Sequence, residues 1–169
     1  MLPRFIEGAV DKARKTADKV SFLGPALARL TVGLVFIGTG WGKLHSLPDI
    51  TAFFTSLGIP MPGFNARLVA GTELFGGLLI LVGLGTRLVA LPLAFTMVIA
   101  ILTAKRGDIT GVTALVGFEE WSYLVFFLWL ALAGAGKLSL DALIGRHGKR
   151  RGRTADARSF GGSQLRPQE

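Results

Sequence analysis

The sequence contains no cysteine. That excludes a disulfide framework, a CxxC redox pair, a cysteine-held iron–sulfur cluster and c-type haem attachment. Histidine is nearly as scarce: His45 and His147 are the only two in 169 residues. His147 falls in a polar C-terminal stretch, so no pair of histidines is placed to hold a haem inside a membrane. No metal-ligand spacing, phosphate-binding glycine loop or nucleophile motif occurs. A redox role must therefore use an organic cofactor such as a quinone, or a partner subunit.

Charge is also missing from long stretches. Apolar runs occupy about residues 25–42, 66–84, 87–104 and 120–136. Each approaches the roughly 20 residues needed to cross a bilayer. A soluble domain of this size buries its core without such runs. The basic region before residue 25 is too long for a cleaved signal peptide, and no clear small-residue cleavage site follows residue 42. We read the first run as an uncleaved transmembrane helix. The fold class expected is an all-α membrane protein with four transmembrane helices in a bundle.

The segments between and around these runs have their own character. Residues 4–20 place Phe5, Ala9, Ala13, Ala17 and Val20 at helical spacing with charges between them. This predicts an amphipathic helix, either solvated or lying on anionic lipid. In residues 43–65, Ile50, Phe53, Phe54 and Leu57 share a helical face before Ile59-Pro60-Met61-Pro62-Gly63 breaks it. A short interfacial helix followed by a turn is expected. Residues 109–118 read as a short Gly/Thr-rich connection. The expected division is an amphipathic segment 1–22, a membrane domain 23–144 and a disordered basic tail 145–169.

The net charge of +8 sits mostly at the two ends. If both termini are cytoplasmic, fifteen of the nineteen Lys and Arg residues lie inside. Only Lys43, Arg67, Lys105 and Arg106 lie outside. The positive-inside rule then predicts a multi-pass protein of the bacterial inner membrane with both ends in the cytoplasm. It also explains the basic tail better than nucleic-acid binding does, and no nucleic-acid partner is expected. The lipid bilayer itself is the partner. Glycine-lined faces permit homo-oligomers as readily as a closed bundle.

One acid interrupts the second run. A carboxylate such as Glu73 within a span costs about 2.5–3.5 kcal/mol on insertion, so it should face the protein interior and have a partner. Its helix face includes Ala70, Gly76, Gly77 and Ile80. On the first run, Arg29, Gly33, Phe36, Gly40 and Lys43 form one stripe, with glycines that admit a close neighbour. Arg29 and Lys43 are ~21 Å apart along that stripe. Lys43 is the nearest cation for Glu73 if the first two spans are antiparallel neighbours, with His45 and Arg67 as alternatives. Trp41, Glu119, Glu120 and Trp121 gather toward the same end of the bundle. One reading is a proton-accepting quinone pocket, with Glu73 handling the proton, Lys43 as its partner, and Trp41, Glu119 and Glu120 at the rim. The other is a Lys43–Glu73 bridge that only fixes helix pairing. Arg29 and Arg87 are expected to anchor helix ends by snorkelling to headgroups.

The order of motifs resembles the DoxX family of small bacterial membrane proteins. The matching pieces are Arg29 with Gly33, then Gly42-Lys43-Leu44, then residues 53–64, FFTSLGIPMPGF. They continue with Glu73-Leu74-Phe75-Gly76-Gly77, Gly83-Leu84-Gly85-Thr86-Arg87 and residues 134–141, GAGKLSLD, which end at Asp141. The resemblance covers about residues 22–143. It implies a four-helix inner-membrane protein linked to quinone-dependent oxidoreductases, some members working with soluble redox partners. It groups Asp141 with Arg29 and Arg87 as structural anchors. Related proteins with thiol chemistry use cysteines, which this chain lacks. The expected function is an accessory or anchor subunit of a quinone-linked oxidoreductase. The alternatives are a non-enzymatic scaffold for a partner protein, or a small-solute or lipid-handling protein.

Overall fold

The structure is a computed structural model and describes residues 4–145. Most of the expected tail, 146–169, lies outside the described residues. Seven α-helices follow one another, with no strand among the described residues: α1 (Arg4–Val20), α2 (Leu23–His45), α3 (Leu47–Ser56), α4 (Pro62–Val82), α5 (Thr86–Thr103), α6 (Val112–Val116) and α7 (Glu119–Ala133). A 3₁₀ turn, Arg106–Asp108, precedes α6. In hydrocarbon each backbone amide must find its partner within the chain, and a helix does so without help from neighbours. Helices α2, α4 and α5 are long and apolar enough to cross a membrane. Helix α7 is as apolar but has 15 residues, a length of about 22 Å.

Local chemistry sets the helix ends. Helix α4 starts at Pro62, four residues before the apolar run, because a proline in the first turn forfeits no hydrogen bond. It stops at Gly83, whose φ of 72° is left-handed. There the Gly83 N–H donates to the Ile80 carbonyl at 3.1 Å and the Leu84 N–H to the Leu79 carbonyl at 2.9 Å. That pair of bonds closes the last turn and frees the chain to reverse. Gly134, at φ 80°, ends α7 at Ala133, three residues before the apolar pattern fades at Gly136. Helix α3 falls where a short helix is expected, and the connection 109–118 contains α6. Along α1, residues 10–20 are all exposed.

The bundle is built from two tight helix pairs, α2 with α4 and α5 with α7, and α4 packs on α5. Helices α2 and α4 run antiparallel: Gly33 meets Gly77 and Leu81, and Gly40 meets Ala70 and Leu74. The approach is close enough for backbone to touch backbone. A Cβ at Gly40 would sit 2.4 Å from the Leu74 nitrogen, and one at Gly77 would sit 2.8 Å from the Ile37 nitrogen. The shared core consists of Val32, Phe36, Ile80, Ala90, Leu93, Ala94, Met97, Phe127 and Leu130. Phe36 joins the pairs by meeting Tyr123 and Phe127 edge-on, at centroid distances of 5.2 and 4.8 Å. Leu34, Phe75, Leu88, Phe95 and Leu132 point outward and exposed. In a bilayer such a surface is solvated by lipid; in water it would aggregate.

The contact between α2 and α4 yields a direct test. Alanine is the better helix former, so Gly40→Ala should stabilise an isolated helix. In this bundle we expect a loss of about 1–3 kcal/mol instead, because the added methyl pushes on backbone that cannot swing away. Gly42→Ala meets open space and should leave stability unchanged or raise it by up to about 1 kcal/mol. Thermal unfolding of the two detergent-solubilised variants measures the difference.

Candidate functional site

Both ends of the α2–α4 pair carry a buried charge. At the Lys43 end, the Lys43 ammonium donates to Glu73 Oε1. Helix geometry explains the meeting. Side chains lean toward the N-terminus of their own helix. On antiparallel helices, Lys43 therefore leans toward the bundle centre and Glu73 toward the bundle end. Glu73 is 2% exposed and the Lys43 side chain 30%. This is the only salt bridge among the described residues. The second carboxylate oxygen, Oε2, is buried and has no hydrogen-bond partner among them. Glu73 is thus half satisfied, with one oxygen on a cation and the other able to accept a further donor or a proton.

None of the other residues of the expected pocket bonds to Glu73 or Lys43 among the described residues. Trp41 lies two positions from Lys43, on a different side of α2, and is 59% exposed. Its ring meets His45 at a centroid distance of 4.5 Å and a tilt of 44°, and the Trp41 carbonyl lies 2.9 Å from His45 Nδ1. Glu119 is exposed and Glu120 partly exposed in the first turn of α7. Neither makes a side-chain hydrogen bond or ion pair among the described residues. Arg67, considered above as a partner for Glu73, instead donates to the Gly63 carbonyl at 3.3 Å.

At the opposite end Arg29 differs from the sequence-based expectation. It does not snorkel; it is 4% exposed. Its Nε donates to the Pro25 carbonyl at 3.3 Å, its Nη1 to the Leu81 carbonyl at 3.4 Å, and its Nη2 to the Leu138 carbonyl. The Leu81 carbonyl belongs to the last turn of α4, which has no intrahelical donor left, so a guanidinium fits there. Gly83 makes room, since a Cβ there would lie 2.1 Å from Arg29 Nη1. Asp141 completes this end. Its two oxygens accept the N–H groups of Gly85 at 2.8 Å and Thr86 at 3.3 Å, and its own N–H donates to the Gly83 carbonyl at 3.0 Å. Ser139, at the start of the next helical turn, accepts the Ala142 N–H at 3.1 Å. Nothing in the spacing of Arg29 and Asp141, 112 residues apart, announces this joint. The buried Thr86, whose hydroxyl has no partner among the described residues, also escapes a reading by charge. Among those residues no cluster of three or more His, Cys, Asp or Glu suits a metal ion.

Comparison with known proteins agrees with this architecture. The family model DoxX matches residues 24–106. The Bacillus subtilis protein named "Putative oxidoreductase CatD" is 34% identical over 77% of this chain and 92% of its own length. The Escherichia coli "Inner membrane protein YqjF" is 34% identical over 76% of this chain and 97% of its own. The E. coli "Inner membrane protein YphA" is 32% identical over 68% and 86%. No solved structure matches the chain. Apolar helices of spanning length, the glycine-packed α2–α4 pair and these relatives lead to one assignment: the chain is a membrane protein of the DoxX family.

Proposed function

We propose that the chain is an inner-membrane accessory or anchor subunit of a quinone-linked oxidoreductase, with Glu73 as its proton-handling residue and Lys43 as the partner that tunes it. One observation carries the reading: a carboxylate 2% exposed inside the bundle keeps an oxygen free of any partner among the described residues. A purely structural acid would be expected to use both oxygens, because an unsatisfied buried acceptor costs about 1–3 kcal/mol. Two of the relatives are named as inner-membrane proteins and one as an oxidoreductase, which supports the setting. Converting a quinone to a quinol consumes two electrons and two protons. In this reading a soluble redox partner supplies the electrons. Glu73 gives a proton at Oε2 after each electron, taking a new one from water on the Lys43 side between the two steps, and Lys43, the more exposed half of the pair, compensates the carboxylate charge between transfers. Trp41, Glu119 and Glu120 lie nearer the membrane surface than Glu73 and would meet the headgroup only on its way in.

In the same reading α7 is the fourth span, its short helix extended at one end by α6 and at the other by residues 134–139. Both chain ends face the cytoplasm, and residues 23–144 form the membrane unit. A cysteine-free chain makes the topology easy to test. Ser46→Cys, between α2 and α3, should react with an impermeant maleimide on intact spheroplasts, and Ser21→Cys only after lysis. The opposite pattern overturns the orientation.

The catalytic reading predicts that the purified protein binds a quinone analogue and that Glu73→Gln weakens the binding about tenfold, the equivalent of one charge-assisted hydrogen bond. If neither protein binds, the quinone assignment fails. A second reading has its own observation: the pair sits one helical turn from the Gly40 contact, at the tightest part of the α2–α4 interface. If the bridge is only a clamp, Lys43→Met should cost about 3–5 kcal/mol by stranding a buried charge. Lys43→Met with Glu73→Gln should then recover most of it, with no effect on analogue binding. Thermal unfolding of the two single variants and the double variant measures the coupling.

A further inference from the structure

A cleft of about 460 Å³ opens at the Arg29 end, between the start of α5 and the loop that follows α7. Arg87 and Asp141 both line it, with Ser139 and Gly136 beside them and Leu88 and Ala133 as an apolar wall. The two opposite charges share this cleft but do not pair with each other. Arg87 makes no hydrogen bond or ion pair among the described residues, and its side chain lies across Gly134, where a Cβ would be 3.0 Å from its Nε. The Asp141 oxygens each accept one backbone N–H, which leaves each with acceptor capacity. The cleft therefore offers a five-donor guanidinium unpaired among the described residues and a carboxylate with acceptor capacity, which also interacts electrostatically with the buried Arg29.

The geometry points to a bound zwitterion that carries an anionic phosphate and a primary ammonium: the phosphoethanolamine headgroup of a membrane lipid. The Arg87 guanidinium matches a phosphate by its planar donor fork. A primary ammonium has N–H donors for Asp141, which a quaternary choline ammonium lacks and a glycerol headgroup replaces with neutral hydroxyls. The cleft lies where the apolar helices end, at headgroup depth. Leu88 is 76% exposed beside it, and Leu132, one residue before the cleft wall, 80%. These side chains give acyl chains a path along α5 and α7. The inference is independent of the quinone reading and needs only that the chain sits in a membrane.

Native mass spectrometry of the detergent-purified, full-length protein tests it. The protein is offered equal amounts of phosphatidylethanolamine, phosphatidylglycerol and phosphatidylcholine of one chain length. Phosphatidylethanolamine should be retained at least about fivefold over the other two, and Arg87→Gln should lower its retention about tenfold. Arg87 is exposed and bonds to nothing among the described residues, so this variant should fold. Asp141→Asn should bring phosphatidylethanolamine down to the phosphatidylglycerol level. Because Asp141 also holds the start of α5, its melting curve is read alongside, and Arg87→Gln decides the matter if Asp141→Asn does not fold. Equal retention of the three lipids, or an unchanged preference in Arg87→Gln, overturns the proposal. If free phosphoethanolamine displaces the lipid at equal concentration, the site takes a soluble zwitterion and the lipid assignment is overturned.

Discussion

The backbone contact between α2 and α4 governs the rest of this bundle. Inside a membrane no hydrophobic effect pulls helices together, since lipid tails are as apolar as leucine. Association must come from dispersion and from polar contacts at close range. Gly33, Gly40 and Gly77 bring the two backbones into direct contact. Only at that separation does the Lys43 ammonium reach the Glu73 carboxylate at one end, and Arg29 the Leu81 carbonyl at the other. A wider spacing filled by leucines would strand Glu73 and cost Arg29 its bond to Leu81. The glycines and the ions are therefore one design, in which close approach allows charges to be buried and the buried charges hold the register.

The second helix pair depends on different physics. Helices α5 and α7 meet through Ala90, Leu93, Ala94, Phe127 and Leu130, with no charged side chain among these contacts. Phe36 presses edge-on against Tyr123 and Phe127 and ties this pair to the first. The chain crosses between the pairs at the Gly83–Gly85 turn, and the joint is reinforced by a carboxylate that arrives from after α7. Asp141 takes up two N–H groups at the start of α5, a position where a negative charge is favoured by the helix dipole. The end of the membrane region is thereby fastened to its middle.

Much of this was legible in the residues. Apolar runs, their glycine and proline borders and the stripe from Arg29 to Lys43 all follow from periodicities that act locally. Even the short α3 shows itself, through Ile50, Phe53, Phe54 and Leu57. What stayed hidden depends on contacts between distant segments. Arg29 reads as an anchor at the headgroups because its own helix supplies no reason to turn inward; the reason is the end of α4 and the loop at Leu138. Trp41 looks like a neighbour of Lys43 in sequence, but two positions on a helix turn it through about 200°. The length of α7 follows the left-handed Gly134 rather than the apolar pattern. Glu73 declared itself as a costly acid, but its half-satisfied state can be seen only with both helices in place.

The core between Glu73 and Arg29 is made of valine, phenylalanine, isoleucine, leucine, alanine and methionine. Among the described residues the buried polar side chains other than Glu73 and Arg29 are Thr86 and Ser139, so no further buried carboxylate, amine or imidazole is there to receive a proton. Any proton that Glu73 handles must leave by the side from which it came. The bundle thus carries its buried acid and its buried guanidinium on opposite sides of an apolar core. Chemistry at Glu73 would be tied to the pH of a single compartment and indifferent to the membrane potential across the remaining thickness. On the proposed reading, the subunit would serve a redox chain at one surface without short-circuiting the proton gradient that the chain maintains.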